Sequence, residues 1–232
     1  QLAPPTHPTL TFVTWLLTDT IESGSIGDRS FLAVWTFAIR YNITYNLDGG
    51  VNNPANPAYY TSLSPTITLL DPTREGYDFT GWTPSGSISS GSSGNRSFTA
   101  NWSPIEYTIT YVMNDGINHA DNPEIYTVAS GLITLQDPTR EGYDFTGWEP
   151  DDGVIPAGST GARTFTATWS EPIEYAITYV MNDGTNHADN PDTYTVVSGL
   201  ITLQNPTREG YDFLGWEPDD GVIPAGSTGA RT

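Results

Sequence analysis

The chain contains no cysteine and no lysine, and all eight of its basic residues are arginine. The first absence excludes disulfides, thiolate metal sites and cysteine nucleophiles. The second excludes Schiff-base chemistry and lysine-based isopeptide staples. Positive charge is scarce altogether: 27 acidic residues against 8 basic ones give a formal net charge of −19. So acidic a chain is repelled by phosphate backbones and anionic membranes, which excludes nucleic acid as a partner and suits a saline or calcium-rich exterior. No apolar run approaches the roughly 18 residues that a membrane helix needs, so no membrane insertion is expected in this segment. No signal peptide is visible, and Gln1 reads either as following a processing cut or as opening a cut segment.

Repetition is what the chain has in quantity. Asp137-Pro138-Thr139-Arg140-Glu141-Gly142-Tyr143-Asp144-Phe145-Thr146-Gly147-Trp148 occurs earlier as Asp71 through Trp82 and later as Asn205 through Trp216. The equivalent prolines Pro72, Pro138 and Pro206 are 66 and 68 residues apart. A worn copy opens the chain, where Phe12-x-x-Trp15 stands for Phe79-x-x-Trp82 and Arg29-Ser30-Phe31-Leu32-Ala33-Val34-Trp35 stands for Arg96 through Trp102. A fixed period of this kind predicts a tandem array. Its expected parts are a degenerate back half of a unit over 1–37, unit 1 over 38–103, unit 2 over 104–170, and unit 3 over 171–232, which lacks its last strand. Connectors of four or five residues, two of three carrying proline, predict an elongated, semi-rigid array. Units 2 and 3 differ at seven of 58 aligned positions, which points to recent duplication and to unit number as the property that matters.

Within a unit the hydrophobic period is 2, so the elements are strands. Tyr107, Ile109, Tyr111 and Met113 share one face and Thr108 and Thr110 the other, before Asn114-Asp115-Gly116 turns the chain. The polar stretch through Asn122-Pro123 is expected to hold one short helical turn. Strands are expected around 126–128, over 132–135, over 143–148 with a bulge at Gly147, and over 164–169 with Phe165, Ala167 and Trp169 inward. The two tryptophans of each complete unit are expected in its core.

Taken together, Tyr-x-Ile-Thr-Tyr, then Pro-Thr-Arg-Glu-Gly-Tyr-x-Phe-x-Gly-Trp, then Phe-Thr-Ala-x-Trp resembles the internalin B-repeat family, also called the Listeria–Bacteroides repeat. The likeness runs from Tyr41 to Thr232, and in degraded form over 1–35. It implies mainly β units with a small α+β, β-grasp-like fold, strung in tandem on large secreted or surface-anchored bacterial proteins and without catalytic activity.

Candidate sites are few. His119 and His187 occupy equivalent places, where the first unit has Asn53. No positioned nucleophile accompanies them, so they read as loop residues. Oxygen-rich loops make the best case for a cofactor, since calcium takes six to eight oxygen ligands. The candidates are Asp115, Asn118, Asp121, Asp151 and Asp152, with Asp183 and Asp189 in the next copy. The first unit replaces Asp115 with Gly49 and Asp121 with Ala55, and the spacing departs from an EF-hand, so plain turns are the default. Adjacent carboxylates repeated in successive units do not define a cleft with opposed acid and base. The repeated arginines Arg74, Arg140 and Arg208 are expected to pair with nearby carboxylates.

The sequence therefore points to an extracellular, non-catalytic stalk or fibre segment of a bacterial surface protein. Its partners are neighbouring repeats or further copies of itself. The strand missing from the third unit predicts an exposed sheet edge, and Leu10, Phe12, Trp15, Phe31, Ala33 and Trp35 form the candidate assembly interface for head-to-tail strand addition; the alternative to that assembly is that the chain is a cut fragment of a longer array and that the strand lies outside it. The alternative is an adhesin-type module for a glycan or a host or matrix protein, which requires exposed aromatic grooves.

Overall fold

Alternating strands build the structure, a computed structural model that describes residues 2–7, 10–16 and 20–232, so Gln1 falls outside it. The described residues hold eighteen strands and two single 3-10 turns, with no α-helix among them. They divide into two compact units, Gln1–Ile105 and Glu106–Thr232.

The first unit opens with an antiparallel hairpin of β1 (Leu10–Trp15) and β2 (Ala33–Phe37). Phe12 lies opposite Trp35 and Trp15 opposite Ala33, with an irregularity between Phe12 and Thr14. Then come β3 (Arg40–Asn46), β4 (Tyr59–Thr61), β5 (Ile67–Thr68), β6 (Tyr77–Thr83), β7 (Ser87–Ile88) and β8 (Arg96–Pro104). The main sheet has the order β4-β3-β8-β6, and β5 pairs with β7 in a small second sheet. First and last strands of the repeat, β3 and β8, are parallel neighbours at the centre. Parallel neighbours need a long crossover, and the residues from β4 to β7 supply it. This is a mixed sheet of β-grasp-like order.

The second unit repeats the plan. Its strands β9 (Tyr107–Val112), β10 (Ile125–Tyr126), β11 (Ile133–Thr134), β12 (Phe145–Glu149), β13 (Val154–Ile155) and β14 (Arg163–Trp169) form a sheet of order β10-β9-β14-β12 and the pair β11-β13. Between the two sheets lies a core of Ile109, Tyr126, Leu135, Trp148, Ile155, Phe165 and Ala167. Phe165 and Ala167 of β14 are 1% and 0% exposed, so the last strand of the repeat contributes two of its most buried side chains. Burying a side chain such as Phe165 contributes about 2–3 kcal/mol.

The third repeat keeps β15 (Tyr175–Ala176), β16 (Thr193–Tyr194), β17 (Ile201–Thr202) and β18 (Val222–Ile223). Arg231 bridges Ile177 in parallel, as Arg163 does Ile109. No residue of this chain stands where Phe165, Ala167 and Trp169 stand in the second repeat.

Two local expectations are corrected. The stretch before Pro123 is a turn closed by the Asn122 N–H donating to the His119 carbonyl at 3.2 Å, because a residue before proline is disfavoured in the helical region. The helical turns that do occur are the 3-10 turns Asp151–Gly153 and Asp219–Gly221. The strand expected over 126–128 stops at Tyr126, since the Ser130 hydroxyl accepts from the Thr127 N–H at 2.9 Å and starts a turn.

The Glu-Gly-Tyr motif explains how repeats are joined. Ile105 N–H donates to the Gly76 carbonyl at 2.9 Å, and Ile173 N–H to the Gly142 carbonyl at 2.8 Å. Gly142 has φ +76 and backs onto Val196 so closely that a Cβ would come within 2.6 Å of it. In the same unit Thr228 Oγ1 donates to Glu141 Oε1 at 3.0 Å. Only glycine meets both demands there.

Candidate functional site

Each repeat carries the same charged clamp on the turn after its first strand. Asp48 and Asp115 adopt φ of 47° and 66° in that turn, and Asp183 one of 68°. Arg74 Nη1 meets Asp48 Oδ2 at 2.9 Å, Arg140 meets Asp115 at 3.4 Å, and Arg208 meets Asp183 at 3.5 Å. The same guanidiniums lie 3.8–4.0 Å from the ring centroids of Tyr77, Tyr143 and Tyr211. With their carboxylates exposed, these pairs contribute about 0–1 kcal/mol each, and the cation–π contact adds about 0.5–1. The clamp ties the turn to the repeated Arg-Glu-Gly-Tyr run.

A second device escaped the sequence reading. Asn122 is buried; its Nδ2 donates to Asn118 Oδ1 at 2.8 Å and to the Gln136 carbonyl at 3.0 Å, while its Oδ1 accepts from the Gln136 N–H at 2.6 Å. One side chain thus imitates a strand partner for Gln136. Asn56 does the same for Leu70, and Asn190 for Gln204. The sequence signal was an asparagine recurring before proline in Asn56-Pro57, Asn122-Pro123 and Asn190-Pro191.

The histidines take a structural place beside it. His119 Nδ1 accepts from the Asp121 N–H at 3.2 Å, and His187 Nδ1 from the Asp189 N–H at 3.2 Å. Asn53 Oδ1 accepts from the Ala55 N–H at 3.1 Å in the first repeat. Asparagine and histidine interchange at this position because each offers one acceptor two residues from a backbone donor. His119 also lies 3.8 Å from the Asp121 carboxylate, both side chains being exposed on the turn.

The calcium candidates are distributed rather than gathered. Asp115 and Asp183 face the clamp arginines, Asn118 Oδ1 is engaged by Asn122, and Asp121 and Asp189 sit by their histidines. Asp151 and Asp152 form the 3-10 turn at φ of 62° and 51°, and the Asp151 carboxylate lies 3.9 Å from Arg163. Among the described residues no three His, Cys, Asp or Glu side chains converge as a metal site would require.

A cleft of about 510 Å³ lies in the third repeat, between residues 177–181 and residues 211–217. In the second repeat β14 fills this space. There Trp169 Nε1 donates to the Met113 carbonyl at 3.0 Å, Asn114 Nδ2 donates to the Ala167 carbonyl at 3.0 Å, and the indole ring stands over Gly116. In the third repeat Met181, Asn182 and Gly184 line the cleft instead. Phe213 and Trp216 keep their edge contact at 5.3 Å. Of the candidate assembly residues, Phe12, Trp15, Phe31 and Trp35 pack edge to face on one another at 5.5–6.1 Å. Leu10 and Ala33 are half-buried in the same hairpin.

A sequence profile of the Listeria–Bacteroides repeat domain matches residues 41–101, 107–164 and 175–222. The chain belongs to the Listeria–Bacteroides repeat family. Its three matched repeats each hold the charged clamp and the asparagine bridge described above. Two proteins of Evansella cellulosilytica are similar to it over 81% of this chain. One, provisionally named a Gly-rich membrane protein, is 25% identical over 202 residues; the other, provisionally named a membrane protein, is 27% identical over 207. The chain spans 22% and 30% of their lengths. No helix among its described residues is long and apolar enough to cross a membrane. As a Listeria–Bacteroides repeat array it is a mainly β chain of the surface-repeat type.

Proposed function

We propose that this chain is a non-catalytic structural segment of an extracellular bacterial surface protein, a stalk or fibre element that joins head to tail through strand complementation. The observation that carries the reading is the use of its chemically capable side chains. Arginine, aspartate, asparagine and histidine at the repeated positions are each engaged in holding a turn of their own repeat. A scaffold needs those contacts in every repeat, whereas an enzyme needs one convergent set. Membership of a surface-repeat family and the membrane-protein names of its relatives support placement at the cell surface. Head-to-tail contacts that do not close into a ring yield filaments.

The adhesin alternative has less support. Trp148 is 3% exposed, and an arginine covers the ring of Tyr143, so the second repeat presents no aromatic platform from those residues. Light scattering and negative-stain microscopy of the 232-residue chain, with and without residues 1–37, test the leading reading. Threads that vanish on deletion support it; a monodisperse monomer in both samples overturns the assembly it describes.

A further inference from the structure

We infer that the first and second repeats are load-bearing clamps, in which tension along the chain is carried as shear by the parallel pair of first and last strands. The inference rests on the reading of the chain as a stalk and assigns the element that bears the load.

Topology sets the direction of force. In the second repeat the chain enters at Tyr107, the start of β9, and leaves at Trp169, the end of β14. These strands are direct neighbours and run parallel, with Arg163 opposite Ile109, Thr164 opposite Thr110, Phe165 opposite Tyr111 and Thr166 opposite Val112. The entry of one strand and the exit of the other therefore lie at opposite ends of one ladder. Tension applied at Tyr107 and Trp169 slides the strands past each other instead of parting them from one end. Hydrogen bonds of a parallel pair are evenly spaced along it, so shear loads them together and they yield as a group. Residues 113–162 stay out of the load path while the ladder holds. The first repeat has the same arrangement, with Ile43 through Asn46 of β3 paired in parallel with Arg96 through Thr99 of β8.

Side chains extend the clamp beyond the ladder. Past its exit end Trp169 Nε1 donates to the Met113 carbonyl at 3.0 Å, and in the first repeat Trp102 Nε1 donates to the Leu47 carbonyl at 3.0 Å. Asn114 Nδ2 adds a bond to the Ala167 carbonyl at 3.0 Å. The entry end of the first repeat is fastened by the Asn42 N–H donating to Asn95 Oδ1 at 2.8 Å. Each of these bonds ties the first strand, or the residues next to it, to the last, so each resists the same displacement. The core blocks partial slippage as well. Ile109, Phe165 and Ala167 are buried, and a slip of one residue would turn a strand's inward side chains to the outer face.

Single-molecule pulling tests the direction of strength, because a chain without native thiols accepts handles at chosen sites. Two full-length double variants, Glu106→Cys/Glu171→Cys and Glu106→Cys/Ala162→Cys, place the handles on exposed positions around the second repeat. The first pair pulls on the start of β9 and the end of β14, in shear. The second pulls on the starts of both strands and peels the ladder one bond at a time. Four register pairs share the load in shear, so its rupture force should be about two- to fourfold the peeling force. Rupture in shear should release about 200 Å of chain in one step, at roughly 3.5 Å per residue. Trp169→Phe keeps a ring and loses the N–H at the far end of the ladder. It should lower the shear force and leave the peeling force unchanged. Equal forces in the two directions overturn the clamp, and so does stepwise release of the repeat in shear. Either result leaves head-to-tail assembly standing, whereas a monodisperse monomer by light scattering rejects that assembly and leaves the clamp in place.

Discussion

Asn122 and Gly153 show how single residues fix the repeat. Replacing Asn122 by alanine removes three hydrogen bonds and strands the backbone of Gln136. The expected cost is about 2–3 kcal/mol, read as a lower midpoint in urea unfolding. Gly153 has φ +72, and a Cβ there would meet Trp148 Cδ1 at 2.4 Å, whereas Gly158 has φ +78 with nothing near. Gly158→Ala should cost about 1–2 kcal/mol for the backbone alone. Gly153→Ala should cost distinctly more, because the rigid indole cannot withdraw from its core position. Equal costs would remove Trp148 from that account. His119→Asn should leave stability within about 0.5 kcal/mol of the parent, while His119→Ala loses the turn acceptor.

Tyr111 links burial to pH. Burial raises its phenol to about 12, with Glu124 adding to the rise, and the hydroxyl donates to the Pro123 carbonyl at 2.7 Å. A proton held more tightly in the folded state stabilises it fully below the unfolded value near 10. That stabilisation is lost as pH rises from there through about 12. Tyr111→Phe should flatten the alkaline fall in thermal midpoint, and an unchanged slope would assign the fall to other groups.

Among elements, the last strand of a repeat is the keystone. It lies between the first strand and the third long strand and carries two of the most buried side chains, so its removal opens the core rather than an edge. Long strands of this kind were legible in the sequence. Period-2 alternation marked Tyr107–Val112 and Arg163–Trp169, and Gly147 marked the bulge. Short elements were not. Val154–Ile155 is two residues long, so no period exists to detect, although Ile155 is 0% exposed. The asparagine bridge was equally silent, because a side chain that replaces a strand partner 14 residues away leaves no pattern. Oxygen-rich loops read as calcium candidates for a related reason: composition shows the supply of oxygens, but their direction depends on turn geometry such as the positive φ at Asp115.

Across the whole molecule, similar repeats and a large excess of negative over positive charge act together. A net charge of −19 opposes the approach of a second copy. Salt screens that repulsion over about 8–10 Å near physiological strength. Raising salt from about 20 mM to about 500 mM should increase self-association, measured as mean mass by light scattering. Association that falls with salt would mean that attraction between charges, rather than strand exchange, joins the copies.

Hydrogen exchange in the second repeat tests the central claim, that each repeat is a scaffold closed by its last strand, most directly. The account predicts that the amides of β14, whose Phe165 and Ala167 are 1% and 0% exposed, exchange among the slowest of the repeat. Exchange there as fast as in the exposed loops would contradict it, since the last strand would then hold no core together.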